Sequence, residues 1–111
     1  MNANEKLREY NSTEGYYRHQ FGLLFTDGVY ALCELFKCYW FIDIVASYQP
    51  KLRHEEFQVW KLIRTGSTAI VVCEDGNHKL LVKQNIPFTD FDADQATVWV
   101  ENNVILLPSE H

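Results

Sequence analysis

An α+β fold, with N-terminal helices packed on a five-stranded antiparallel meander sheet, is what this sequence predicts. Three observations carry that expectation. Val29 to Gln49 is rich in aromatic residues and repeats its apolar positions at helical spacing. Pro50 then closes the helical rhythm. Beyond it come five short apolar or alternating runs, separated by Thr65-Gly66, Asp75-Gly76-Asn77, a polar acidic stretch and Asn102-Asn103. The 111 residues read as a single domain spanning 1–111, with a helical part over 5–49, a sheet part over 57–108 and no strand before residue 50.

Asn4 to Tyr10 contains helix-forming residues and predicts a short helix. Asn11-Ser12-Thr13-Glu14 follows as helix-start chemistry, with Asn11 or Ser12 as cap and Glu14 reaching back. Gly15 to His19 could be a helical turn or an extended piece, and is read as a short helix. Thr26 or Asp27 caps the next helix, whose apolar stripe is Val29, Leu32, Cys33 and Phe36. Were that helix unbroken to Tyr48, Asp43 would lie half a turn from Glu34, and one carboxylate would enter the core. A break near Lys37-Cys38 removes the conflict. The second helix, Tyr39 to Gln49, then exposes Tyr39, Asp43 and Ser47.

The strands follow at Phe57 to Arg64, Ser67 to Glu74, His78 to Gln84, Ala96 to Glu101 and Val104 to Leu107. The first places Trp60 and Leu62 on one face and Phe57, Val59 and Ile63 on the other. So little strict alternation implies that both faces are partly covered. In the third, Leu80 and Val82 are expected inward and Lys79 and Lys83 outward. Asn102-Asn103 is a two-residue hairpin signal, because Asn tolerates positive φ. The last strand, stopped by Pro108, is expected to be a free edge.

Lys and Arg number 10 against 15 Asp and Glu, for a net charge of −5. The basic residues are dispersed, so binding of nucleic-acid phosphates is disfavoured. Charged residues also interrupt Leu23 to Tyr48, leaving far less than the ~20 apolar residues a membrane span requires. Cys33, Cys38 and Cys73 sit in apolar contexts without framework spacing or a signal peptide, which points to reduced thiols in a cytoplasm.

The residues most suited to function are Tyr17, Arg18, His19, Thr26, Asp27 and Asp43. His19 could exchange a proton if Asp27 or Asp43 oriented its ring, and Arg18 could hold an anion through its forked donors. The plainer alternative has Arg18 and His19 bridging helix ends while Asp27 caps. Asp90-Phe91-Asp92-Ala93-Asp94 imitates a calcium loop, but Gln95 stands where glycine must turn the chain, and strand-like residues follow. Neither the cysteines nor His54 and His78 have zinc-ligand spacing, so no metal or cofactor is expected. Trp40, Trp60 and Trp99 sit at core-facing phases and are read as packing residues.

Several segments carry a family resemblance. They are Thr13-Glu14-Gly15-Tyr16-Tyr17-Arg18-His19, Thr26-Asp27-Gly28-Val29, Tyr39-Trp40-Phe41-Ile42-Asp43, Glu56 to Leu62, Phe88-Thr89-Asp90-Phe91 and the ending Leu106-Leu107-Pro108-Ser109-Glu110. Together they resemble a family of small uncharacterised bacterial proteins, some from phage or other mobile elements, grouped as a domain of unknown function. The departure is Lys37-Cys38, where a small residue such as glycine is expected. The resemblance implies no activity, cofactor or site residue.

Small size, acidity and the lack of a catalytic spacing favour a non-catalytic protein-binding or regulatory module. Its expected partner is another protein or a second copy. The alternative is a small hydrolase or nuclease-like enzyme using His19 with Asp27 or Asp43. Anion binding through Arg18 and the helix start at Thr26 is weaker, because Asp27 would repel an anion there.

Overall fold

Two consecutive helices form as their periodicity demands: α1 is Asp27–Phe36 and α2 is Tyr39–Ser47 in the computed structural model, which describes residues 1–12, 15–19 and 21–111. Thr26 caps α1, its Oγ1 accepting the Val29 amide at 3.2 Å. Lys37 ends α1 in the left-handed region at φ 56°, ψ 46°, and the Cys38 amide reaches back to the Cys33 carbonyl at 3.2 Å. This is the six-to-one bond of a Schellman ending, whose left-handed residue is ordinarily glycine. Lys37 is exposed, so its side chain has little packing to lose. We expect Lys37→Gly to stabilise the fold by about 0.5–1 kcal/mol, read as a higher urea midpoint at unchanged slope.

Seven strands make one sheet, in the order β1-β2-β7-β6-β3-β4-β5. They are β1 (Tyr16–Arg18), β2 (Leu24–Thr26), β3 (Phe57–Thr65), β4 (Thr68–Glu74), β5 (Leu80–Ile86), β6 (Gln95–Glu101) and β7 (Val104–Leu106). β3, β4 and β5 follow one another as hairpins, and β6 then returns to the far side of β3. That spatial order is a Greek key, not a meander. The loop between Pro87 and Asp94 spans the crossing. Phe91 and Ala93 are buried in it, and the Phe91 ring lies 5.8 Å from that of Phe36. Asn102 and Asn103, at φ 53° and 63°, make the β6–β7 turn as expected.

Other expectations need correction. Strands do precede residue 50, and the sheet has seven of them instead of five. Tyr16–Arg18 is extended rather than helical, paired antiparallel to β2 with Tyr17 opposite Phe25. β2 in turn lies parallel to β7, with Leu24 opposite Val104, so the sheet is mixed. β7 is therefore an interior strand, and the free edges are β1 and β5. Leu80 is exposed instead of inward, because the register shifts between Cys73 and Glu74. The N-terminal helix is a short 3₁₀ turn, Ala3–Leu7. Asn4 in that turn bonds both backbone groups of Thr97, extending the sheet beyond the end of β7. Of the expected cap at Asn11 to Glu14, Thr13 and Glu14 lie outside the described residues.

Both helices pack on one face of the sheet. Val29, Leu32, Phe41, Ile42 and Val45 share a core with Trp60, Leu62, Val71, Val98 and Ile105. The three cysteines are buried and unpaired. Burial pushes the Cys73 thiol up to about 12, and Cys38 together with burial holds the Cys33 thiol far above its ordinary range. Among the described residues no helix is long and apolar enough to cross a membrane.

Candidate functional site

Tyr17 and Arg18 stand on β1 with His19 just after it, Thr26 ends β2 as the cap of α1, Asp27 opens α1, and Asp43 is midway along α2. They do not converge on one point. His19 and Asp43 do meet: Asp43 projects from α2, and its Oδ1 lies 2.8 Å from His19 Nε2. The His19 ring is 8% exposed. Its Nδ1 accepts the Phe21 amide at 3.1 Å, so the lone pair sits there and Nε2 carries the proton donated to Asp43. Arg18, Phe25, Tyr39 and Ile42 complete a shallow cavity of 330 Å³ around the pair. Since both ring nitrogens are engaged, moving a proton through His19 requires breaking one of these bonds. The pair chiefly pins the turn after β1 to α2.

Tyr17 and Asp27 face a neighbouring groove of 680 Å³, lined also by Leu7, Tyr10, Tyr30 and Glu34. Here the aromatic residues align. Tyr17 lies between Phe25, with centroids 5.5 Å apart, and Tyr30, at 4.5 Å and 14° between planes. Tyr30 meets Tyr39 edge-on at 6.3 Å. The three tyrosines remain 42%, 37% and 39% exposed in that order, so they form a ridge between the two concavities. Tyr39 donates its hydroxyl to Glu34 Oε2 at 2.7 Å. Partial desolvation, and then that carboxylate, raise the Tyr39 phenol above its ordinary range. Sequence reasoning missed Tyr30, Tyr39 and Glu34 as site residues. Their i, i+4 and i+9 offsets become one surface only because the helix breaks between them.

Thr26 belongs to neither concavity. It is buried, and its hydroxyl donates to Glu110 Oε1 at 2.6 Å. The same carboxylate accepts the Leu107 amide at 2.9 Å and the Gly28 amide at 3.3 Å. Placed at the start of α1, the negative charge meets the positive end of the helix dipole. Gly28 is required for the approach: a Cβ there would lie 2.6 Å from the Glu110 carboxyl carbon. Two stretches that carried the resemblance, Thr26-Asp27-Gly28 and Leu107 to Glu110, are thus halves of one structural clasp. A family model matches residues 1–111 throughout, described as a family of unknown function, DUF6876.

The chain belongs to that family. No curated protein and no solved structure matches it. Membership therefore gives the Tyr17–Tyr30–Tyr39 ridge and the His19–Asp43 pair no inherited role. Among the described residues no group of three or more His, Cys, Asp and Glu side chains could hold a metal ion. Of the three tryptophans, Trp60 is buried, whereas Trp99 lies across from Val59 on the face turned away from the helices, contrary to its expected core phase.

Proposed function

We propose that this protein is a non-catalytic binding module and that a partner protein docks on the tyrosine ridge. The single observation behind this reading is the alignment of Tyr17, Tyr30 and Tyr39, each held by a different element and each more than one third exposed. Tyrosine offers a large contact area at small entropic cost and is concentrated at the energetic centres of interfaces. Glu9, Asp27 and Glu34 outnumber Lys6 on one side of the ridge, and Asp43 stands beside Arg18 on the other, so the surround is acidic in sum and suits a partner with basic side chains. A cytoplasmic setting, in which three buried thiols stay reduced, belongs to the same reading.

Site-specific photocrosslinking tests it. A benzoylphenylalanine replacing Tyr30 in cells should give one discrete adduct, which Tyr17→Ala removes while the protein stays folded. A crosslinker replacing Lys51, exposed in the 3₁₀ turn Gln49–Lys51 beyond the far end of α2, should give none. Absence of an adduct at Tyr30, or one indifferent to Tyr17, defeats the reading.

The 2.8 Å contact of His19 with Asp43 favours a second reading, a small hydrolase or nuclease-like enzyme. It predicts hydrolysis of an activated ester or phosphodiester that His19→Ala abolishes. Asp27 plays no part in it, since that carboxylate lines the other groove.

A further inference from the structure

The helices cover one face of the sheet, and the other is open. Residues opposite one another in the register share a face, so the outward set can be followed across the strands. Val59 pairs with Trp99 and Glu74, Lys61 with Val72 and Thr97, and Ile63 with Ile70. Phe57 pairs with Glu101, Trp99 with Leu106, and Val72 with Lys83. Phe57, Val59, Ile63, Ile70, Val72 and Trp99 therefore all look away from the helices. Each is only half-buried. An antiparallel sheet with one solvated face ordinarily alternates apolar residues with polar ones. Here both sides are apolar, and a patch of this extent on a soluble chain marks an interaction surface.

We infer that this face is closed by a second copy of the chain, the two sheets packing face to face around a two-fold axis. Charge favours that occupant. Within the five strands β7, β6, β3, β4 and β5 the outward charged residues are Lys61, Lys83, Glu74 and Glu101, two of each sign. The net −5 of the chain is thus carried elsewhere, and this face can meet itself without repulsion. A basic partner would be drawn to the rest of the molecule instead. Lys61 already holds Glu74 at 3.2 Å, Glu101 lies 3.4 Å from His111, and Lys83 stands exposed on the edge strand β5, where its ammonium reaches water when the face closes. Area agrees as well. Four strands taken at seven residues each and β7 at three, with ~4.8 Å between strands and ~3.4 Å per residue, give a face of roughly 500 Å², or about 1,000 Å² for two copies. That is near the lower bound of ~1,200 Å² for stable specific interfaces, before side-chain relief is counted. The C-terminal ring of His111 already lies against Trp99 and Phe57, at 5.2 and 6.3 Å, and covers one end of the patch. Packed this way, the dimer leaves both tyrosine ridges outward, so it does not depend on the ridge being a docking site.

Sedimentation equilibrium of the whole chain at micromolar concentration tests the inference. The expected result is twice the mass of the chain. Val72→Glu places a charge in the middle of the patch, and Thr97→Glu places one opposite Lys61, where the isolated subunit accommodates it. Both should dissociate the dimer, raising its dissociation constant at least ~10-fold, as loss of a central contact does. Tyr30→Ala, on the helix side, should leave the mass doubled. Should Val72→Glu fail to fold, Thr97→Glu alone decides. A wild-type monomer throughout the range, or a dimer that survives Thr97→Glu with its circular dichroism intact, overturns the inference.

Discussion

Replacing Trp60 with alanine should cost about 3–5 kcal/mol of unfolding free energy, the range for large aromatic truncations in a core. The side chain is fully buried between β3 and the helical layer, its ring 5.9 Å from that of Tyr48. Its Nε1 donates to Gln58 Oε1 at 2.8 Å, and the same oxygen accepts Gln49 Nε2 at 2.8 Å. Gln58 Nε2 returns a bond to Gln49 Oε1 at 2.9 Å, so the two amides remain paired when the indole is removed. The loss is therefore one of packing and cavity formation, with little from stranded polar groups. Urea denaturation measures it. A cost below 1 kcal/mol would mean that the indole is not seated as described.

Glu110→Ala should cost about 2–3 kcal/mol, since bonds to a charged acceptor contribute ~1.5–3 kcal/mol and the helix dipole adds a fraction. Two donors lose their acceptor together, the Thr26 hydroxyl and the Leu107 amide, while the Gly28 amide keeps Asp27 Oδ1 at 3.0 Å. Gly28→Ala should cost a similar amount by a different route, because the added methyl occupies the place of the carboxyl group. The two losses share one interaction. Gly28→Ala combined with Glu110→Ala should cost scarcely more than the worse single change, rather than their sum. Full additivity in thermal or urea unfolding would show that the clasp does not couple them.

What the sequence made legible was local. The stripe Val29, Leu32, Cys33, Phe36, the conflict between Glu34 and Asp43, and the Asn102-Asn103 turn each depend on neighbours within a few residues. They located α1, the break and the β6–β7 hairpin. β1 and β2 have three residues each, too few for a period, and they are extended because β7 offers a parallel partner some 80 positions later. The return of β6 beside β3 likewise depends on where Phe91 is buried, which no run of alternating residues encodes. The apolar residues at both phases of β3 implied partial cover on both faces, and the helices supply it on one. Those residues could not say that the helices reach only one of them.

The site was legible to a similar degree. His19 with Asp43 was one of two pairings the titratable residues allowed, and the fold selects it. The clasp was not foreseen, since Glu110 resembles any charged terminal residue until the chain is closed. Tyr30 and Tyr39 stood in the helices as ordinary exposed positions.

Because β2 is held by β7 and α1 is capped by Glu110, synthesis delivers the opening quarter of the protein long before its supports exist. A nascent or prematurely terminated product lacking residues 104–110 would present Phe25 and an unfinished helix start to cellular proteases. Closing a loop of some 80 positions is thus the condition for covering this quarter of the chain, which makes its ordering a late event of folding.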